Sequence, residues 1–192
     1  MIAQSSEKTL QVAEEVAAEL ERAGVPCAVI GAMALAVHKY ARATEDFDLA
    51  TDVDPFRALP VVAETLRLRG YQVELVTPDR DDPLGGALNI SGADFNLVQV
   101  INFENPFARN ATPATAAIRN AVAGGVGSSK LRVVTLPDLI ALKLYAGGPK
   151  SRADVAELLE RNPAADFTAI RSACEACHLE DAFDKIVAEL QG

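Results

Sequence analysis

Residues 25–54, VPCAVIGAMALAVHKYARATEDFDLATDVD, contain the pattern that decides the fold. A short apolar run ends at Gly31, a helical stretch follows, and a second run of strand character begins at Asp46. The strand predicted for residues 46–51 carries Asp46 and Asp48, and side chains two positions apart in a strand point to the same face. The sequence therefore predicts two neighbouring carboxylates on one strand, close to a glycine turn.

The residues between and after the two aspartates are apolar, which distinguishes this pair from an ordinary solvated acidic loop. Two carboxylates side by side on a half-buried strand cost free energy through desolvation and like-charge repulsion. A divalent cation such as Mg²⁺ removes that cost, because it takes hard oxygen ligands and leaves positions for substrate phosphates. The alternative interpretation is a pair of solvated side chains at a sheet edge.

The residues around the pair favour a phosphate-bearing ligand. Gly31 follows an apolar strand and opens a helix, where backbone N–H groups can face a phosphate. Arg42 and Thr44 come just before the acidic strand and would supply a cation and a hydroxyl at the same rim. The whole stretch therefore predicts a site for a metal ion together with a phosphate group.

Bulk composition limits the classes of function. The chain has 192 residues, 49% of them hydrophobic, and a net charge of −9, without the basic field that broad nucleic-acid binding needs. No apolar run approaches the roughly 20 residues that span a bilayer, so no membrane association is expected. Three cysteines and no export signal predict reduced thiols and a cytoplasmic location.

The remaining elements follow from hydrophobic periodicity and from glycine and proline breaks. Strands are predicted over 27–30, 46–51, 71–77, 87–91, 93–101 and 131–134, and helices over 6–23, 31–40, 55–70, 113–123, 137–145 and 151–161, with two more within 166–190. Strands first and helices last predict an α/β fold, in which a mixed β-sheet is flanked by helices. We expect a core over residues 1–135 and a helical C-terminal part over 136–192, packed on that core.

Two segments resemble a known superfamily. Residues 30–52, IGAMALAVHKYARATEDFDLATD, resemble the nucleotidyltransferase signature, in which a glycine turn precedes a helix and an R-x-T-x-D-x-D strand follows. Residues 136–159, LPDLIALKLYAGGPKSRADVAELL, resemble a second block of the AbiEii-like toxin branch of that superfamily. The resemblance implies a nucleotidyltransferase-like fold that moves a nucleotide from an NTP to an acceptor hydroxyl with Mg²⁺, or alternatively Mn²⁺.

The resemblance also implies a role for each matching residue. Asp46 and Asp48 would hold the metal ions, and a third carboxylate would come from a later strand, for which Asp94 is the candidate. Lys143 would complete the catalytic set by reaching the phosphates or the acceptor. The implied nucleotide-binding residues are Gly31, Ala32, Arg42, Thr44 and Asp154, of which Asp154 would orient the region of Lys143.

Departures from the family pattern leave a second function open. Ala32 stands where a second glycine or a serine is usual, and Asn96 is the other candidate for the third metal position. Gly148 and Ser151 stand where related chains often have an arginine and an aspartate. The alternative is a catalytically degenerate interaction protein with the same fold, such as one half of a toxin–antitoxin pair.

The resemblance allows RNA, including tRNA ends, or a protein hydroxyl as the acceptor. It also implies a toxin–antitoxin or phage-defence setting with a cognate partner. An RNA acceptor requires cations along one rim of the site. The candidates are Lys130, Arg132, Lys143, Lys150 and Arg152, and the alternative is that they are solvated surface charges.

The string Cys174-Glu175-Ala176-Cys177-His178 matches the C-x-x-C-H pattern of covalent haem attachment. The chain shows no export signal, and both methionines are remote in sequence from this string. We therefore interpret the string as part of a structural helix that carries two cysteines on one side.

Overall fold

A computed structural model describes residues 2–44, 46–108, 111–126 and 129–191. In chain order its elements are α1 Ile2–Arg22, β1 Cys27–Val29, α2 Gly31–Val37, β2 Asp46–Thr51, α3 Ala58–Leu68, β3 Gln72–Val76, β4 Ala87–Ser91, β5 Leu97–Asn102, α4 Ala114–Asn120, β6 Val122–Ala123, β7 Arg132–Val133, α5 Leu136–Ala146, α6 Gly148–Arg161, α7 Phe167–Glu175 and α8 Glu180–Gln191. The predicted α/β fold is confirmed.

The strands of the described chain form one mixed sheet in the order β3-β4-β5-β2-β1-β7-β6. β2 runs parallel to β5, β1 runs parallel to β7, and the other neighbours are antiparallel. The acidic strand β2 therefore lies in the middle of the sheet, between β1 and β5.

One face of the sheet is the main packing surface. Its side chains alternate along the strands and are fully buried, as with Leu49 on β2, Ile90 on β4 and Val100 on β5. α1 and α3 pack against this face. Each large apolar side chain buried in this way contributes about 1.5–3 kcal/mol, so this face accounts for much of the core.

The opposite face is covered unevenly. α4 packs on β1 and β2, where Ala50 is fully buried. Further along the same face of β2, Asp48 is half-buried and Asp46 is exposed. On the neighbouring strands this face carries polar side chains such as Asn89 and Gln99, which are half-buried. The carboxylate pair therefore lies where the covered part of the sheet meets an open part.

The C-terminal helices begin with a well-defined cap. The Thr135 hydroxyl donates to Asp138 Oδ2 at 2.6 Å and accepts from the Asp138 backbone N–H at 3.4 Å, which satisfies the first turn of α5. α5 packs against α4, α6 and α7, and α8 against α6 and α7. The predicted boundary at residues 135 and 136 falls at this cap, and the division into two domains stays a prediction.

Several predicted boundaries differ from the structure by up to four residues, and two of these differences change the sheet. The strand predicted for 93–101 begins only at Leu97, because the Thr9 hydroxyl accepts the Asn96 N–H and the Phe95 ring lies edge-on to Tyr71, 6.0 Å between centroids. The helix predicted for 113–123 ends at Asn120, and the next residues pair with β7 as the short strand β6, which is too brief to show periodicity. In the described part of the chain, no helix has the length and apolarity needed to cross a membrane.

Candidate functional site

Asp46 and Asp48 lie on one face of β2, flanked by the buried side chains of Phe47 and Leu49. The Thr44 hydroxyl donates a hydrogen bond to the exposed Asp46 carboxylate. Burial, followed by repulsion from Asp46, raises the pKa of the Asp48 carboxyl group to about 6. An ionised Asp48 therefore costs free energy unless positive charge is brought close to it.

Gly31 makes room for the Asp48 carboxylate. Its φ is +61°, and a Cβ added to its backbone would collide with Asp48 Oδ2 and lie 2.8 Å from Asp48 Cγ. The backbone N–H of Ile30 donates to the Asp48 carbonyl at 3.0 Å, so the turn and the strand are held together. The glycine that opens α2 is therefore required by the carboxylate on the next strand as well as by its backbone conformation.

We expect Gly31→Ala to displace the Asp48 carboxylate, and Gly24→Ala is a matched control. Gly24 has a similar φ of +71°, but an added Cβ there would meet nothing within 4 Å. Both changes carry about 1–2 kcal/mol of backbone strain, so an additional loss in Gly31→Ala reports the collision. Urea unfolding measures both variants, and equal losses would contradict this account of the turn.

Positive charge reaches the site from α5 and from the segment before β2. Lys143 Nζ donates to Asp154 Oδ2 at 2.7 Å, and Arg42 Nε lies 3.5 Å from Asp154 Oδ1. Asp154, on α6, is only 2% exposed. Lys143, Arg42 and Lys150 each lower the pKa of Asp48, against the larger effect of burial. The buried carboxylate of Asp154 therefore holds two cations beside the carboxylate pair.

The segment before β2 is tied to the C-terminal helices. His38 Nε2 lies 2.8 Å from the Val134 carbonyl oxygen, and the Asn162 side-chain amide donates to the His38 carbonyl at 2.9 Å. The guanidinium group of Arg161 lies over the Tyr40 ring, 5.3 Å from its centroid. These contacts fix the chain just before Arg42 and Thr44.

The third carboxylate is not where the sequence placed it. Asp94 is exposed in the turn between β4 and β5. It lies near Tyr71, whose hydroxyl donates to Glu15 of α1; burial and this hydrogen bond raise the pKa of Tyr71, and the charge of Asp94 adds a smaller contribution. Asn96, the other candidate, lies before β5 and is bound through its backbone to Thr9. The structure brings neither residue beside Asp48. In residues 2–44, 46–108, 111–126 and 129–191, no three His, Cys, Asp or Glu side chains form a metal cluster.

Sequence reasoning missed Gln99. On β5 it pairs in register with Asp48, while Leu97 pairs with Asp46, and the two strands are parallel. Side chains at such paired positions lie on the same face, about 4.8 Å apart between strands. Gln99 thus lies beside Asp48 on a later strand, as the resemblance implies for the third carboxylate, but it carries a neutral amide. The predicted start of this strand at residue 93, four residues before Leu97, hid this signal.

The structure places the three remaining positions of the family pattern on helices α2 and α6. Ala32 is buried in α2, so its side chain does not line an open site. Gly148 opens α6 with a φ of +76°, and Ser151 lies in the first turns of the same helix.

The five cations predicted to line one rim lie in separate parts of the structure. Lys143 and Lys150 lie near Asp48, whereas Lys130 and Arg132 line a groove of about 1020 Å³ beside α1, which also contains Cys27 at the far end of β1. Arg152 pairs with Glu189 of α8 at 3.1 Å. Lys130 and Arg132 face the groove beside α1 and Arg152 pairs with α8, so the five cations do not form a single rim.

Cys174 lies on α7, whereas Cys177 lies in the turn after this helix ends at Glu175, so the two cysteines of the C-x-x-C-H string do not share a helix as predicted. Cys174 is fully buried, and burial raises the pKa of its thiol to about 12. Burial also raises the pKa of the half-buried Cys177 thiol. Both thiols therefore stay protonated near neutral pH, as expected for the structural interpretation.

No family model matches the chain, and no curated protein matches it. Solved structures do match. The antibiotic-resistance factor ANT(2'')-Ia in solution superimposes over 96% of this chain and 95% of its own, with a TM-score of 0.54 and 16% sequence identity. A crystal structure of ANT(2'')-Ia in complex with adenylyl-2''-tobramycin matches over 90% of this chain and 98% of its own, again with a TM-score of 0.54 and 16% identity.

An antigenic nucleotidyltransferase-like protein from Paracoccidioides brasiliensis is equally similar. It matches over 97% of this chain and 94% of its own, with a TM-score of 0.54 and 16% identity. At these identities the likeness is one of fold. The predicted nucleotidyltransferase-like fold is therefore confirmed, and the AbiEii-like branch stays a prediction.

Proposed function

We propose that this protein transfers a nucleotide from an NTP to a hydroxyl of an RNA, such as a tRNA, or of a protein, with Mg²⁺ or Mn²⁺. The observation that supports this most directly is the carboxylate pair Asp46 and Asp48, near which Asp154 holds two cations. We further propose an AbiEii-like, toxin–antitoxin or phage-defence setting in the cytoplasm, on the strength of the two sequence blocks.

The residues fit a divalent cation. Asp46 and Asp48 offer hard oxygen ligands on one face of β2, and the turn at Gly31 leaves the Asp48 carboxylate the space that a side chain would otherwise fill. A bound divalent ion would neutralise the negative charge that develops on the phosphates during transfer. Two carboxylates leave room for phosphate oxygens as further ligands.

Each remaining residue has a task that its position supports. Lys143 and Arg42 attract and orient the triphosphate, as cations held ready by Asp154. The acceptor oxygen forms a bond to the α-phosphorus while the bond to the β-phosphate oxygen breaks, and pyrophosphate leaves. The acceptor proton is released to solvent. Thr44 keeps the exposed Asp46 carboxylate oriented through its hydrogen bond.

Incubation with each α-labelled NTP, Mg²⁺ and either total RNA or cell lysate tests this proposal. We expect label on RNA or on a protein band for the wild type, and a loss of more than about 100-fold in Asp46→Ala, since a metal ligand matters at least as much as the residues that support one. Asp94→Asn, which changes an exposed carboxylate in the β4–β5 turn, is the control and should keep wild-type activity. Absence of label with all four NTPs would contradict nucleotide transfer to these acceptors.

A non-catalytic interaction protein with the same fold is the second candidate. It is favoured by Gln99, a neutral residue at the position paired with Asp48. Under this alternative, NTP and Mg²⁺ together would not raise the melting temperature. A ligand at 100 times its dissociation constant adds about 2.7 kcal/mol of stability, so a thermal shift distinguishes the two candidates without knowledge of the acceptor.

A further inference from the structure

A row of polar residues crosses four strands from the carboxylate pair to the edge of the sheet. Asp48 on β2 pairs with Gln99 on β5, Gln99 pairs with Asn89 on β4, and Asn89 pairs with Glu74 on β3. All four lie on the face of the sheet opposite α1 and α3, and each is half-buried or exposed. The row therefore connects the site to a carboxylate at the far edge.

Hydrogen bonds along the row have a fixed direction. Asn89 Nδ2 donates to Glu74 Oε2 at 3.0 Å, and Gln99 Nε2 donates to Asn89 Oδ1 at 2.7 Å. An ionised carboxylate only accepts hydrogen bonds, so Glu74 requires the amino group of Asn89 to face β3. The Asn89 oxygen then faces β5 and requires the amino group of Gln99 to face β4. The Gln99 oxygen is consequently directed away from β4, to the side on which β2 lies.

The direction of the Gln99 amide matters because of its neighbours. Its oxygen is a neutral hard ligand of the kind that Mg²⁺ and Mn²⁺ accept, whereas its amino group repels a cation. Neighbouring strands are about 4.8 Å apart, so the paired side chains of Gln99 and Asp48 can reach one ion. A glutamine free to rotate would present the wrong group for part of the time.

We propose that Gln99 presents its amide oxygen, in place of a third carboxylate, to the divalent cation held by Asp46 and Asp48. Asn89 and Glu74 are positioning residues that fix the orientation of the Gln99 amide. This inference rests on the proposed function, because it concerns the cation of the same site.

Titration of the intact protein with Mn²⁺, followed by the electron paramagnetic resonance signal of free Mn²⁺, tests the proposal without any acceptor or activity. We expect Asp48→Asn to lose binding, and Gln99→Leu to weaken it about tenfold, in the range found when support for a metal site is removed. Gln99→Glu should restore the affinity, because a carboxylate oxygen replaces the amide oxygen. Gln72→Leu is the control. Gln72 lies on β3, on the same face as Glu74 but outside the row, so this variant should bind Mn²⁺ as the wild type does.

A double-mutant cycle tests the positioning role. Asn89→Leu should weaken Mn²⁺ binding in the wild-type background and have no effect in the Gln99→Leu background, since the amide that it orients is then absent. Equal effects in both backgrounds would overturn the role of Asn89 and Glu74. A Gln99→Leu variant that binds as the wild type does, or a Gln99→Glu variant that fails to restore binding, would overturn the role of Gln99.

The outcomes separate this inference from the proposed function. If Asp48→Asn abolishes Mn²⁺ binding while the Gln99 and Asn89 variants leave it unchanged, the inference fails and the metal site of the proposed function stands. If the wild type binds no Mn²⁺, or Asp48→Asn binds it equally well, the inference fails, and transfer of label from NTP then decides the proposed function separately.

Discussion

Asp154→Asn is expected to lower the free energy of unfolding by about 3 kcal/mol, because it removes the buried counter-charge of two cations. The Asp154 side chain is 3% exposed, and it is in contact with Lys143 and Arg42, whose side chains are 14% and 23% exposed. Asparagine keeps the shape of the side chain, so the loss reports charge and hydrogen bonding without a cavity. Urea unfolding at pH 7.5 measures it.

Glu189→Gln is the matched control for this prediction. Glu189 also pairs with an arginine, Arg152, at 3.1 Å, but the two side chains are 54% and 41% exposed. Exposed pairs of this kind contribute about 0–1 kcal/mol, because water screens both charges. Equal losses in the two variants would show that Asp154 is not the anchor of the two cations. A loss confined to Asp154→Asn should be accompanied by weaker NTP binding.

Asp48→Asn is expected to raise stability in the absence of divalent cations. The pKa of Asp48 is raised from 3.8 to about 6, so the folded protein holds this proton more tightly than the unfolded chain does. Ionisation of Asp48 therefore costs stability as the pH rises from about 4 to about 6. For a fully buried group, a pKa shift of this size would lower the free energy of unfolding by about 3 kcal/mol. Asp48 is only half-buried and water screens its charge, so we expect a loss of about 1–3 kcal/mol.

The pH dependence identifies the cause. The advantage of Asp48→Asn over the wild type should be absent near pH 3, where the aspartate is protonated in both states, and reach its full value above pH 6. Mg²⁺ with NTP should reverse the order of stability, because only the wild type gains the binding energy. Asp94→Asn serves as the control and should show neither effect. An Asp48→Asn variant that is less stable than the wild type at pH 7.5 would contradict this account.

The centre of the fold was predictable from the sequence because its signals are local. The limits of β2 follow from the alternation of Asp46, Phe47, Asp48 and Leu49, and the structure has the predicted strand over residues 46–51. Gly31 was predictable as a turn, since a glycine between a buried strand and a helix has few other uses. Its second role, which leaves space for the Asp48 carboxylate, depends on the pairing of β1 with β2 and is not visible in the sequence.

The partners of the carboxylate pair could not be predicted from periodicity. Gln99 lies beside Asp48 only because β5 starts at Leu97, and that start depends on contacts of the preceding turn with Thr9 and Tyr71, which are remote in sequence. The resemblance implied that Asp154 orients the region of Lys143, but the ion pair between them depends on the packing of α5 against α6, which the sequence does not show. Register and helix packing are long-range properties, and they decide which groups complete a site.

The parallel pairings in the middle of the sheet join segments that are remote in sequence. β1 and β2 are close in sequence and pair as neighbours, but Phe47 of β2 pairs with Val98, and Val29 of β1 pairs with Val133. Each of these contacts forms only after a long loop has closed. The conformational entropy lost in that closure makes such strand pairings slow. We therefore expect β1 and β2 to pair early in folding, and Lys143, which lies beyond β7 in the chain, to join the two aspartates with the later contacts.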